Sequence, residues 1–129
     1  MCGIAGFWDA KASERIVQAL AELAVRGQDA AGVITSEQTM PTIVDTPSEL
    51  PRLANSSSAM GHTLHAMVGF LPQPLVSGLR GRLVANCELY SWRARAEREG
   101  IRARNDADLL LALLDKLPVL NGPSIVALV

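Results

Sequence analysis

The chain has 129 residues, 49% of them hydrophobic and 19% charged, with 12 basic against 13 acidic side chains. That length suits one domain with a real core, and the charge balance offers neither a basic surface for nucleic acid nor the excess charge of a disordered chain. No apolar run approaches the ~20 residues of a membrane span, the N-terminus lacks the order of a secretory signal, and two cysteines build no disulfide framework, so a soluble cytoplasmic protein is expected.

The chain opens Met1-Cys2-Gly3-Ile4-Ala5-Gly6. If Met1 is removed, as a small second residue permits, Cys2 carries a free α-amine beside its thiol. An amine titrating near ~8 and a thiol near ~8.5 let one group hold the proton while the other attacks a carbonyl. Residues 4–8 read as a short apolar strand that carries this position to a fixed place. From Ser13 as N-cap, Ile16, Val17, Leu20, Leu23 and Ala24 recur at helical spacing, predicting an amphipathic helix that ends at Gly27 and covers a sheet. The turn Arg26-Gly27-Gln28-Asp29-Ala30-Ala31-Gly32 leads into a strand over 33–35, hairpin-paired with another over 42–45. Thr46-Pro47-Ser48-Glu49 has capping-box spacing and predicts a short helix reaching Asn55.

Residues 61–68 read as a strand, and 71–81, rich in Pro and Gly, as a loop holding Gln73. A strand over 82–85 delivers Asn86-Cys87-Glu88. A charged helix follows over 91–99, with Trp92 as its apolar anchor. Asn105 caps the last helix, whose Leu109, Leu110, Leu113, Leu114 and Leu117 predict one broad apolar face. Gly122 opens a closing strand over 124–129, and the chain stopping inside it suggests a piece of something longer. One-sided helices with mostly short strands favour an α+β layered fold over a parallel one, and no glycine-rich phosphate loop is present.

Four separated segments then fall into one pattern. Met-Cys-Gly-Ile-Ala-Gly at the start, Arg26 to Gly32, Gly61-His62-Thr63 with Gln73-Pro74-Leu75, and Asn86-x-Glu88-x-Tyr90 followed by Asn105-Asp106 resemble the class II glutamine amidotransferases, whose glutaminase domains carry an N-terminal nucleophile. The resemblance spans nearly all of residues 1–129 as one domain and is nearest to the glutaminase part of asparagine synthetase. It implies a four-layer αββα sandwich, possibly truncated at its C-terminal side. It implies that Cys2 attacks the glutamine amide with its α-amine as base, forming a glutamyl thioester and releasing ammonia. By the same resemblance, the Asn86 side chain and the Cys87 backbone N–H form the oxyanion hole, while Glu88 and Asp106 hold the substrate ammonium. No cofactor is expected for this step. ATP and magnesium belong to a synthetase domain or subunit that receives the ammonia, outside this chain, and an apolar docking surface for it could alternatively be covered in a homodimer.

Two departures matter. Cys87 stands where the family usually has Gly, which keeps the backbone donor but adds a thiol able to pair with Cys2 on oxidation. Leu64 stands where an Arg usually forks onto the substrate carboxylate, leaving Arg26 or His65 as substitutes. Two rivals are weighed. Cys2, Cys87, His62 and His65 as a zinc set meets the objection that His62 and His65, three apart on a strand, point to opposite faces, so no metal is expected. A non-catalytic glutaminase-like docking or regulatory module, serving a synthetase that uses free ammonia, is supported by Leu64.

Overall fold

The computed structural model describes residues 1–67, 69–78 and 81–117. Within them, β1 (Gly3–Phe7), α1 (Ala12–Glu22), β2 (Ala30–Thr35), β3 (Thr42–Val44) and β4 (Ala59–Leu64) are followed by β5 (Leu75–Val76), β6 (Arg82–Leu83), α2 (Trp92–Glu99) and α3 (Asp106–Leu114). The first four strands form one antiparallel sheet in the order β1-β4-β2-β3, and β5 and β6 form a second antiparallel pair. The chain is therefore mixed α+β, as its pattern predicts.

Register assigns the two faces of the larger sheet. Gly3, Ala5 and Phe7 pair with Thr63, Gly61 and Ala59, and Ala31 and Val33 lie across from Thr63 and Gly61, so all of these share one face. Against it pack Ile16 and Leu20 of α1, both fully buried, in a core completed by Ala12, Ala31, Val33, Leu50 and Ala59. The helix begins one residue before the expected N-cap. Lys11 occupies the cap without a side-chain bond, Ser13 is buried inside the first turn, and Asp9 closes the approach by accepting the Lys11 N–H at 2.7 Å. Its last turn tightens into a 3-10 helix over Leu23–Arg26 before Gly27.

The opposite face carries Gly32, paired with His62 and Ile43. A Cβ on Gly32 would overlap the carbonyl oxygen of Gln73, so glycine lets the second layer approach. That layer is fastened through side chains. Gln73 is buried and replaces a strand partner for Ala85, its Nε2 donating to the Ala85 carbonyl at 3.1 Å and its Oε1 accepting the Ala85 N–H at 2.6 Å. This explains why β6 stops at Leu83, short of the strand expected to reach residue 85. Arg82 donates to the carbonyls of Thr35 at 2.8 Å and Gln38 at 2.6 Å, clamping β6 to the β2–β3 turn. Outside this layer, Ala107 and Leu111 of α3 pack on Leu75 and Ala85.

Several expectations change. The helix expected over 46–55 is one 3-10 turn, Pro47–Glu49; its capping box forms, but Leu50 turns extended because Pro51 disfavours the helical region before it. The strand expected over 61–68 runs instead over Ala59–Leu64, ending where its partner begins at Ala30. In α2 the buried anchor is Ala96, whereas Trp92 is half-buried under the Arg93 guanidinium, 4.6 Å from its ring centroid. Gly100 ends that helix at φ +65°, with Gly100 and Ile101 N–H groups returning to the Glu97 and Ala96 carbonyls. Asn105 caps α3 as expected, accepting the Asp108 N–H at 2.9 Å. The buried side of α3 is Ala107, Leu109 and Leu111, with Leu110 partly buried against the same cluster, whereas Leu117, also expected on that face, is exposed. The closing strand expected over 124–129, with Gly122, lies outside the described residues.

His62 sits between the layers with no exposure, and neither ring nitrogen has a hydrogen-bond partner. Burial dominates its titration and lowers its pKa to about 4, the nearby Ala85 backbone opposing this only in part. The unfolded chain binds this proton from about pH 6.5, so between there and about pH 4 it holds more protons than the folded one. The stability this neutral imidazole contributes is complete above that window and falls as pH drops through it, by up to about 3 kcal/mol. We expect the urea midpoint to fall on acidification, and to fall less in His62→Leu; equal pH slopes for the two proteins would contradict this origin.

Candidate active site

Thr63 sets the position of the N-terminus. Its hydroxyl accepts the Gly3 N–H at 3.1 Å and donates to the Leu23 carbonyl at 3.1 Å, joining β1, β4 and the end of α1. Gly3 allows this closeness, since a Cβ there would come within 2.6 Å of Thr63 Oγ1 and 2.9 Å of Leu23 Cβ. Cys2 follows directly: its carbonyl accepts from Arg26 Nε at 3.2 Å, and its sulphur accepts the His65 N–H at 3.4 Å and lies 3.8 Å from the His65 carbonyl. The thiol is half-buried and free.

Beside it opens a cleft of about 420 Å³ lined by Met1, Val25, Arg26, Gly27, Gln28, Asp29 and His65. Two segments far apart in sequence are knitted together to make it. Gly27 lies against the Leu64 backbone, where a Cβ would meet the carbonyl carbon at 2.5 Å. The Asp29 N–H donates to the Leu64 carbonyl at 3.0 Å, and Asp29 Oδ2 accepts the Ala66 N–H at 2.8 Å. The same oxygen lies 3.6 Å from His65 Nδ1, both side chains being about half exposed. The volume falls within the ~300 to 1,000 Å³ of small-molecule sites. A guanidinium, an imidazole and a carboxylate around it suit a small zwitterion or amide.

The Gln73 clasp on Ala85 sets the start of Asn86-Cys87-Glu88, and all three residues are exposed. Asp106 holds this segment, Oδ2 accepting the Leu89 N–H at 3.1 Å while Oδ1 accepts the N–H of Ala107 in its own helix at 2.9 Å. Cys87 is exposed as a residue, yet packing around its sulphur, then the negative charge of Asp106 and then that of Cys2, push its thiol up to about 11. It therefore stays protonated at neutral pH and is a poor nucleophile, with Cys2 and Asp106 in its electrostatic surroundings.

Of the residues singled out from sequence, the structure brings Arg26 and His65 together in the lining of one cleft, sets Cys2 against the Arg26 side chain and the His65 main chain beside it, and sets Cys87 and Asp106 in mutual electrostatic reach. Cys2, Asn86, Cys87, Glu88 and Asp106 are not among the residues lining that cleft. Leu64, where the resemblance leads one to expect a carboxylate-binding Arg, is buried. Two contributors were missed. Thr63 and Asp29 both sit in quoted motifs, but only the pairing of β4 beside β1 and β2 reveals what they hold. The zinc set is not assembled: His62 is interior, His65 lies past the strand end, and among the described residues no three His, Cys, Asp or Glu side chains cluster to hold a metal. Comparisons with protein-family models, curated proteins and solved structures find no match to the chain.

Thr63→Val keeps the shape but strands a buried donor and a part-buried acceptor, and should cost about 2 kcal/mol by denaturant unfolding. Thr63→Ser, which keeps the hydroxyl, should cost less; equal losses for both would show that the methyl group and not the hydroxyl matters.

Proposed function

We propose that the chain is a class II glutamine amidotransferase domain that hydrolyses glutamine to glutamate and ammonia through a thioester on Cys2. The observation that carries this reading is the Cys2 sulphur held by the His65 main chain beside a cleft bearing Arg26, Asp29 and His65. The finer architecture belongs to the same proposal: α1 on one face of the larger sheet, and β5–β6 backed by α3 on the other, are the layers of an αββα N-terminal-nucleophile sandwich.

In this reading Met1, exposed at the cleft, is removed and the Cys2 amine takes the thiol proton as sulphur adds to the carboxamide carbon. The Asn86 amide and the Cys87 N–H receive the oxyanion, preorganised donors of this kind being worth roughly 3 kcal/mol each. The C–N bond breaks, the amine returns the proton to the departing ammonia, and water then cleaves the thioester to glutamate. Arg26 spends Nε on the Cys2 carbonyl and can offer its terminal nitrogens to the substrate carboxylate, in place of the Arg that Leu64 lacks. Glu88 and Asp106 receive the ammonium, Asp106 also keeping the Asn86 to Leu89 segment in place.

Ammonia would pass to an ATP-dependent synthetase of the asparagine-synthetase kind, with exposed Val25, Met67, Phe70 and Tyr90 as apolar contact surface. A second reading, a glutaminase-like docking or regulatory module, is favoured by the burial of Leu64 where a carboxylate clamp would stand. A glutamine analogue with an electrophilic ketone side chain separates the two. Wild-type protein should take up one equivalent at Cys2, Cys2→Ala none, and Arg26→Gln should label about tenfold more slowly, mainly through weaker binding. No labelling after Met1 removal is verified by mass would favour the docking module, and labelling at Cys87 would overturn the mechanism.

A further inference from the structure

The backbone and the thiol of Cys2 are held by different parts of the molecule. Thr63 fixes the chain at Gly3 and Arg26 takes the Cys2 carbonyl, whereas the sulphur is met by the main chain of His65, accepting its N–H at 3.4 Å and lying 3.8 Å from its carbonyl. His65 lies beyond both ladders of β4, since pairing with β1 stops at Thr63 and pairing with β2 stops at Leu64. The sheet therefore does not fix the groups that receive the sulphur. Asp29 does: its N–H donates to the Leu64 carbonyl at 3.0 Å and its Oδ2 accepts the Ala66 N–H at 2.8 Å. The Leu64 carbonyl and the His65 N–H belong to one peptide group, and the His65 carbonyl and the Ala66 N–H to the next. C=O and N–H point opposite ways in a trans peptide, so Asp29 and the Cys2 sulphur sit on opposite sides of the same two groups. Asp29 Oδ2 is 3.6 Å from His65 Nδ1, beyond hydrogen-bond length, so its short bond is the one to the backbone.

We infer, resting on Cys2 as the nucleophile proposed above, that Asp29 is a positioning residue for its thiol, acting through the His65 main chain and not through the His65 ring. The α-amine remains the base. A bond to a fixed N–H confines the sulphur to one orientation, and a backbone that drifts lets it turn away from a bound carboxamide. Gly27 completes the grip from the same turn, lying so close to the Leu64 carbonyl that a Cβ would come within 2.6 Å of its oxygen. The turn after α1 thus closes on the end of β4 as a unit. Removing the carboxylate would cost the fold little, because the Asp29 and His65 side chains are both about half exposed and water can reach the Ala66 N–H. It would nevertheless free the peptides that hold the sulphur. What the position requires is an acceptor oxygen, which a neutral amide also supplies.

The test compares Asp29→Ala, which removes the acceptor, with Asp29→Asn, which keeps an oxygen but no charge, in the full chain with Met1 removal verified by mass. Hydrogen exchange at the His65 amide reads the sulphur contact without any substrate. In Asp29→Ala the Ala66 amide loses its partner, and we expect the His65 N–H to exchange about tenfold faster with it, Asp29→Asn restoring most of the protection. The electrophilic glutamine analogue reads the consequence. At saturation Asp29→Ala should modify Cys2 about tenfold more slowly, with little change in the half-saturating concentration, and Asp29→Asn should lie close to wild type. Melting curves check the fold. An unchanged His65 amide in Asp29→Ala overturns the inference, as does an Asp29→Asn that reacts as slowly as Asp29→Ala, which would make the charge the active element. A change confined to the half-saturating concentration also overturns it, making Asp29 a substrate contact. If the analogue leaves wild-type Cys2 unmodified, the proposed substrate falls, and exchange at the His65 amide alone decides the role of Asp29.

Discussion

The Thr63 hydroxyl is the small contact on which the site depends. It takes the Gly3 N–H and gives its hydrogen to the Leu23 carbonyl, so one buried oxygen ties the first strand, the central strand and the end of the first helix. A strand only five residues long at the edge of a sheet would otherwise fray at its free end, and Cys2 lies at that end. Glycine at position 3 is part of the same constraint, because any side chain would occupy the space the hydroxyl fills. The nucleophile proposed at Cys2 would need such an anchor, since close positioning is what converts a thiol near an amide into a reacting pair.

The second layer is held by polar side chains set in apolar surroundings. Gln73 reads Ala85 as a neighbouring strand would, and Arg82 reaches the turn between β2 and β3. The two Gln73 bonds are buried and the two Arg82 bonds part-buried, so they are costly to lose and specific in register. His62 lies in this interface unpartnered, which disfavours its charged form and makes the junction of the layers sensitive to acid. The segment of Asn86 to Glu88 leaves the interface immediately after the Gln73 clasp. Where that segment begins is thereby a property of the layer packing and not of the segment's own sequence.

Much of this was legible in the residues. The opening strand, the amphipathic first helix, the capping box at Thr46 and the Asn105 cap all follow from local chemistry, which acts over a few residues. The misreadings have identifiable causes. The leucine-rich last helix is apolar around most of its circumference, so its period cannot choose between Leu110 and Leu111 for the inward side. Gln73 sits among prolines and glycines that read as loop, and its use as a substitute strand partner exists only in the tertiary fold. Ser13 has the right chemistry for a cap, but Asp9 closes the turn first. At the site, Cys2, Arg26 and His65 were marked from sequence, whereas the role of Asp29 required the end of β4 to lie against the turn after α1.

Cys87, raised to about 11 by burial, Asp106 and Cys2, is held in the thiol form, and Cys2 is left beside the polar cleft. The central claim, that Cys2 carries an acyl group from glutamine, is tested most directly by acid-quenching the protein during turnover of glutamine and mapping the peptides by mass. The account predicts a glutamyl group on Cys2 alone, disappearing when the substrate is spent. Glutamate formed with Cys2 never acylated, or an acyl group on Cys87, would contradict it.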